Sequence, residues 1–186
     1  MLIDLGPGVV LITGIQAAGK STVAQALAER VERSVHVRGD LFRRMVVNGR
    51  VEMGPASPPP EALRQLRLRY ALAAQAADGY AAAGFTVVLQ DIVLGADVTS
   101  MVSSIRTRPL HLVVLAPSVE AVIRRDADRQ RLRGKVAYKP GDDDIAQLDA
   151  YLRAETPQLG LWLDTSDQSV NETVDEILAR WPDSTV

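Results

Sequence analysis

The sequence predicts an α/β fold built around a parallel sheet, and three observations predict it. Short apolar runs alternate with longer stretches of helical periodicity, a rhythm that calls for crossover connections between strands running the same way. A glycine-rich turn follows directly on the first apolar run and opens an amphipathic helix. No internal repeat is visible, which sets solenoid architectures aside.

Taken in order, the expected strands are Val9–Thr13, Val35–Val37, Thr86–Gln90, Leu110–Leu115 and Leu161–Leu163. The first expected helix is Ser21–Arg33, where Val23, Leu27 and Val31 recur at i, i+4 and i+8. A short helix over Leu41–Val47 follows the second strand. The next runs from Pro60 to Ala83 with Leu63, Leu66, Tyr70, Ala73 and Ala77 on one face, and two more cover Val119–Arg129 and Val170–Arg180. Two segments break the rhythm. Asn48–Pro60 carries Gly49, Gly54, Pro55 and Pro58-Pro59-Pro60 and reads as a loop closed by a helix that starts near Pro60. Gln130–Asp144 is polar, contains Gly134, Pro140 and Gly141, and reads as a mobile excursion. Both are expected over the C-terminal edge of the sheet, where open α/β folds take their ligands.

Composition narrows the class. The 186 residues suit one domain spanning 1–186, and 21 basic against 23 acidic residues argue against a dedicated nucleic-acid binder. Cysteine is absent, which removes disulfides, thiolate metal sites and cysteine nucleophiles. His36 and His111 sit inside apolar runs and read as strand histidines rather than zinc ligands. No apolar stretch approaches the ~18 residues of a membrane span. The run Val9–Ile12 reads as a core strand rather than a signal peptide, and the cytoplasm is the default compartment.

Gly14-Ile15-Gln16-Ala17-Ala18-Gly19-Lys20-Ser21 satisfies the P-loop pattern G-x-x-x-x-G-K-[ST], with Thr22 next, and has the strand before it and the helix after it that the pattern requires. Gly14 and Gly19 let backbone N–H groups turn inward around a β-phosphate at a helix N-terminus. Gln16, Ala17 and Ala18 supply the rest of that backbone. Lys20 places a charge on the β- and γ-oxygens, and the Ser21 hydroxyl is a ligand for Mg²⁺. A carboxylate at the end of a neighbouring strand completes such a metal site, and Val87-Val88-Leu89-Gln90-Asp91 supplies Asp91; the plainer reading is an aspartate capping the next element.

Asp40 follows the second strand in Val37-Arg38-Gly39-Asp40-Leu41-Phe42-Arg43. If that strand lies parallel to the first and near it, Asp40 emerges beside the phosphates, where it can orient and deprotonate an acceptor hydroxyl. The competing reading is that Asp40 caps the helix Leu41–Val47.

With these residues in view the chain resembles the small P-loop kinases, particularly the chloramphenicol phosphotransferase-like family. Asp40 matches the aspartate that closes the second strand there, and Asp91-Ile92-Val93-Leu94-Gly95 is similar to the third-strand turn; Gly39-Asp40-x-x-Arg43 also resembles adenylylsulfate kinases. The family has paired acids where this chain has Gln90-Asp91. The resemblance implies a P-loop three-layer sandwich with a five-stranded parallel sheet of order 2-3-1-4-5 and a mobile lid, here roughly 124–145. It implies ATP and Mg²⁺ as cofactors, a small-molecule hydroxyl as acceptor and Asp40 as base, and leaves oligomeric state open.

Arg124, Arg125, Arg129, Arg131, Arg133 and Lys135 cluster in that lid segment, offset by Asp126 and Asp128. In related kinases arginines placed here neutralise charge on the γ-phosphate, which makes Arg125, Arg129 and Arg133 catalytic candidates; a solvated helix face is the plainer reading. By the same similarity the loop after the last strand borders the adenine, so Asp164 and Thr165 are candidates to read the base; the competing reading is a helix N-cap role for Thr165, Ser166 or Ser169. Arg43, Val46, Val47 and the Asn48–Pro60 loop are expected to wall the acceptor pocket. The expected activity is an O-kinase acting on an antibiotic, a nucleoside-like compound or a metabolite alcohol. The alternative is a nucleotide-dependent regulatory NTPase with no acceptor. An Asn-Lys-x-Asp guanine motif is absent, and the second strand lacks the Asp-x-Asp arrangement expected of shikimate kinases.

Overall fold

The computed structural model describes residues 2–53, 58–133 and 144–186. The strands are β1 (Gly8–Thr13), β2 (Ser34–Arg38), β3 (Thr86–Gln90), β4 (Leu110–Leu115) and β5 (Leu161–Leu163), paired in parallel in the order β2-β3-β1-β4-β5. Each expected strand is present, and the sheet has the order the resemblance implies. β1, β3 and β4 are buried along their whole length. That is why they read as unbroken apolar runs rather than alternating ones.

The helices are α1 (Lys20–Arg30), α2 (Gly39–Arg44), α3 (Pro60–Ala82), α4 (Ala96–Ser104), α5 (Val119–Arg133), α6 (Asp144–Glu155) and α7 (Val170–Ala179), followed by a 3₁₀ turn at Trp181–Ser184. The step from β1 to β2 and the step from β2 to β3 travel in opposite directions across the sheet. Right-handed crossovers therefore put α1 and α3 on opposite faces. α7 packs beside α1, and α4 beside α3. The face α3 turns to the sheet is made of Ala62, Ala73, Ala77 and Ala81, so the helix lies close against β3.

Several boundaries differ from the sequence reading. α1 stops at Arg30, because Val31 is extended and bridges to Ile3 near the N-terminus. Val31 is buried as its spacing implied, but as a bridge residue and not a helical one. α2 begins at Gly39, ahead of the expected Leu41. α5 runs on to Arg133, so the polar excursion begins later than Gln130. Its expected hinges, Gly134, Pro140 and Gly141, and Gly54 and Pro55 of the earlier loop, lie outside the described residues. α4 and α6 have no counterpart in the sequence reading. Among the described residues no helix is long and apolar enough to cross a membrane.

Leu112, fully buried in the middle of β4, reports on this core. Leu112→Ala should lower unfolding stability by about 2–5 kcal/mol, read as a lower urea midpoint at unchanged slope. A midpoint within error of wild type would mean that the sheet is not packed as described.

Candidate functional site

β1 ends at Thr13 and the chain turns through Gly14–Gly19 into α1. Gly14 has φ 143°, and a Cβ there would lie 2.4 Å from the Leu115 carbonyl oxygen, so only glycine lets the turn pass the end of β4. Ala17 holds φ 61°, a left-handed conformation that residues with side chains seldom adopt. Gly19 is the N-cap of α1, and no side chain caps the helix. The Thr22 N–H donates to the Gly19 carbonyl, no side chain occupies the helix N-terminus, and the dipole there favours an anion.

Lys20 is 7% exposed, and its ammonium donates to the Ile15 carbonyl at 2.6 Å. Burial first, then the charges of Arg129 and Arg69, lower its pKa from 10.5 to about 7. A buried ammonium beside two guanidinium charges is short of an anion, and phosphate oxygens would supply one. The turn therefore fits the phosphates of a nucleotide. Ser21 and Thr22 are exposed at the start of α1, so the Ser21 hydroxyl is open to a cation held on those phosphates.

β3 lies between β1 and β2, so its tip stands between the P-loop and the end of β2. Gln90 is level with Ile12 and with Arg38, and Asp91 is the next residue; its N–H donates to Ile12. The Thr13 hydroxyl donates to the Val93 carbonyl at 2.7 Å and accepts the Val93 N–H at 2.9 Å, tying the turn after β3 to the P-loop. Asp91 is buried. Its carboxylate accepts the Ile92 N–H at 2.7 Å and both forks of Arg69, from Nε at 2.8 Å and from Nη2. A direct bond from Asp91 to a metal would require this pair to open.

Asp40 is the second residue of α2, and the N-cap is Arg38, which makes no side-chain cap. The capping alternative for Asp40 is therefore incorrect. The helix starts earlier than the sequence suggested, which moves Asp40 inside its first turn, where its charge still suits the dipole. Its carboxylate pairs with Arg43 at 3.1 Å and Arg44 at 2.6 Å, with a third of the side chain exposed. Burial raises its pKa, but the Arg43 hydrogen bond and the charges of Arg43, Arg44 and Arg69 outweigh that and hold it below the ordinary carboxylate value. Arg43 also pairs with Glu52, and Glu52 with Arg50. Gln65 on α3 takes the Val51 N–H and donates to the Gly49 carbonyl, so the described part of the loop is strapped to both α2 and α3.

Arg125 donates to the Ala18 carbonyl at 3.2 Å, to the Thr165 hydroxyl at 3.3 Å and to the Thr165 carbonyl, joining the P-loop to the loop after β5. Arg129, one helical turn further along α5, acts on Lys20 through its charge. Arg133 ends α5, and its side chain lies outside the described residues. Thr165 is buried, whereas Asp164 spends an oxygen on Ser166, which caps no helix; the N-cap of α7 is Ser169, in a capping box with Glu172. A hollow of ≈ 410 Å³ lined by Asp164, Ser166, Asp167, Gln168 and Glu172 lies on this loop, and its carboxylates make it unsuited to phosphates.

The structure thus gathers the P-loop, Asp40, Asp91, Arg125, Arg129 and Thr165 at one edge of the sheet. Sequence reasoning missed Arg69. A usable signal was present: Arg69 precedes Ala73 by one helical turn and Ala77 by two, which puts a cation on the face of α3 turned to the sheet. His36 and His111 play no part here; His36 bonds Gln25, and His111 bonds Ser184 and stacks on Trp181.

Fold and site together define a P-loop nucleotide-binding protein with a kinase-like fold. The chain belongs to the AAA_33 family, whose model, described as an AAA domain, matches residues 9–157. No curated sequence matches it significantly. Among solved structures it is similar to a sugar kinase from Janibacter sp. HTCC2649, at 18% identity over 95% of both chains with a TM-score of 0.65. It is also similar to the tunicamycin resistance protein of Deinococcus radiodurans, at 19% identity over 96% of this chain and 98% of that one, TM-score 0.64. A gluconokinase from Sinorhizobium meliloti 1021 aligns at 20% identity over 93% and 90%, TM-score 0.60. At such identities the likeness is one of fold.

The lowered pKa of Lys20 has a direct readout. An anion on Lys20 raises its pKa again, so at pH 8 ATP binding should take up ~1 proton per site, measured by calorimetry in buffers of different ionisation enthalpy. Lys20→Met should abolish the uptake. Without ligand the charged form is disfavoured in the folded state, so Lys20 costs stability up to about pH 7 and the cost fades as pH rises toward 10.5. Binding heats independent of buffer would show that Lys20 does not meet the phosphates.

Proposed function

We propose that the protein is an ATP- and Mg²⁺-dependent phosphotransferase that moves the γ-phosphate to a hydroxyl of a small molecule. One observation carries the reading. β2 delivers an ionised, partly exposed carboxylate, Asp40, to the same sheet edge as the P-loop, and that carboxylate caps no helix. A nucleotide switch needs no such group.

In this reading the backbone of Gly14, Gln16, Ala17, Ala18 and Gly19 holds the β-phosphate, and Lys20 neutralises its charge and that of the γ-phosphate. Mg²⁺ would be held by Ser21, with Asp91 contributing through water or after leaving Arg69, and would withdraw charge from the leaving phosphates. Thr22 continues the first turn beside Ser21. Asp40 accepts a hydrogen bond from the acceptor hydroxyl, sets its lone pair toward the phosphorus, and takes the proton as the new bond forms. Arg43 and Arg44 keep Asp40 ionised and aimed until a hydroxyl arrives.

The arginines of α5 divide the donor. Arg125 holds the base end through Ala18 and Thr165, with Asp164 shaping that loop, and Arg129 serves the phosphate end beside Lys20. Arg133 is assigned to the closing segment with Arg129. The acceptor lies beside Asp40, walled by Arg43, Val46, Val47 and the strapped loop. A sugar, a sugar acid or an antibiotic would each present the hydroxyl required, and the names of the similar structures span these classes. The cytoplasm, where ATP is plentiful, is the compartment this activity implies.

A screen of hydroxylated metabolites and antibiotics for acceptor-dependent ADP release, with products identified by mass spectrometry, tests the proposal; ADP release indifferent to every acceptor supports the switch instead. With an acceptor in hand, Asp40→Asn should lower turnover by roughly 10²-fold or more at unchanged KM for ATP. Normal turnover in that variant would remove Asp40 as the base. The arginines should separate kinetically: Arg125→Ala raises the KM for ATP, whereas Arg129→Ala mainly lowers kcat. The reverse pattern would exchange their roles.

A further inference from the structure

The reading above gives Asp91 only a share in Mg²⁺ and gives Arg69 nothing, although the two form the most deeply set charge pair at the site. Its position is defined by the sheet. The tip of β3 has the P-loop on one side, through β1, and Asp40 on the other, through β2. Whatever projects from that tip stands between the phosphate donor and the hydroxyl acceptor.

The carboxylate there is immobile. Both oxygens are committed, to Ile92 N–H and to the two forks of Arg69, and the side chain is exposed by 0%. Gly39 closes the remaining side: a Cβ on Gly39 would lie 1.9 Å from Asp91 Oδ2. That distance explains why glycine precedes Asp40. A guanidinium is a rigid planar fork, so fixing one edge fixes the whole group. Asp91 takes one edge of Arg69, and the remaining N–H groups face away from it. The charge of Arg69 is felt both by Lys20 on the donor side and by Asp40 on the acceptor side.

We propose that Arg69 is a catalytic residue whose outer guanidinium edge binds the transferring phosphoryl group between Lys20 and Asp40, and that Asp91 is the positioning residue that aims it. The inference rests on the phosphotransferase reading. In the step it serves, the acceptor oxygen forms a bond to the γ-phosphorus while the bond from that phosphorus to the β–γ bridging oxygen breaks. The electron pair leaves with ADP, and the acceptor proton passes to the Asp40 carboxylate. Arg69 stays protonated throughout and offsets the negative charge on the equatorial oxygens. Arg69 is held in place by the sheet edge, through Asp91.

Binding of ADP with Mg²⁺ and aluminium fluoride, a mimic of the phosphoryl group in flight, tests the proposal without an acceptor. Wild type, Arg69→Lys, Arg69→Met and Asp91→Asn are compared, with circular dichroism to confirm folding. Arg69→Met leaves a buried carboxylate unpaired, so Arg69→Lys, which keeps the charge and loses the fork, is the variant that decides if Arg69→Met does not fold. The folded Arg69 variants should bind ADP within about threefold of wild type. The tightening by aluminium fluoride should fall by roughly 10²-fold in Arg69→Lys and Asp91→Asn, and the double variant should be no worse than either alone. Tightening retained in both Arg69 variants, with Asp91→Asn shifting only the Mg²⁺ requirement, would overturn the assignment and make Asp91 a metal residue. Wild-type protein that binds ADP but gains nothing from aluminium fluoride would overturn the phosphotransferase reading and the inference together.

Discussion

The parallel ladder that places β3 between β1 and β2 is the constraint on which the site depends. Parallel hydrogen bonding in this register brings Thr13, Asp91 and Gly39 to the same level at one edge. The strands behind them are buried on both faces, so polar chemistry has room only at that edge. The closeness of the strand tips then dictates residue type. Gly14 is required by the Leu115 carbonyl, and Gly39 by the Asp91 carboxylate. Neither glycine is there for flexibility. Each marks a place where two parts of the site come closer than a methyl group permits.

That crowding concentrates charge. Lys20, Arg69 and Asp91 are all largely removed from water, and Arg129 adds to the positive side. A buried ion pair seldom stabilises a fold more than well-packed apolar residues would, whereas removing one partner costs about 3–5 kcal/mol. Stability alone therefore gives no reason for Arg69 and Asp91 to occupy the tip of β3. The excess of positive charge around Lys20 points the same way. It is a liability until an anion arrives, and then becomes the source of affinity, because charges already desolvated and fixed do not have to reorganise around the ligand.

Much of this was legible in the sequence, for local reasons. The strands were visible because burial on both faces leaves continuous apolar runs, and the P-loop because its backbone geometry needs particular residues at fixed spacing. Asp40 was legible by its position after β2, although its capping alternative fell only when α2 proved to start at Gly39. What stayed hidden depends on distant parts of the chain. α1 ends where it does because Val31 meets Ile3. α6 follows a polar segment and shows a weak apolar pattern, and α4 is short. Arg69 was passed over because the face of α3 was traced through Leu63, Leu66 and Tyr70 along with Ala73 and Ala77, while the residues it buries are all alanine. Small residues carry little hydrophobic signal, yet they are what allow a helix to approach closely enough for a long cation to reach a strand tip.

The two arginines of α5 show how one helix can serve both ends of an extended ligand. Arg125 and Arg129 lie one turn apart on the same face, separated by about 6 Å along the axis. Arg125 is anchored at the junction of the P-loop and the loop after β5, through Ala18 and Thr165. With that end fixed, the direction of α5 decides what Arg129 can reach, and its charge falls on Lys20. The helix is therefore a ruler laid along the nucleotide on the phosphotransferase reading, its base end pinned and its phosphate end leading into the segment beyond Arg133. Arg69 is held separately, on α3, by its pair with Asp91 at the tip of β3. The charge on the phosphoryl group would then be met by one cation that is always in place and one that depends on α5. On that reading the two cations are independent, because one is fixed by a strand tip and the other by a helix.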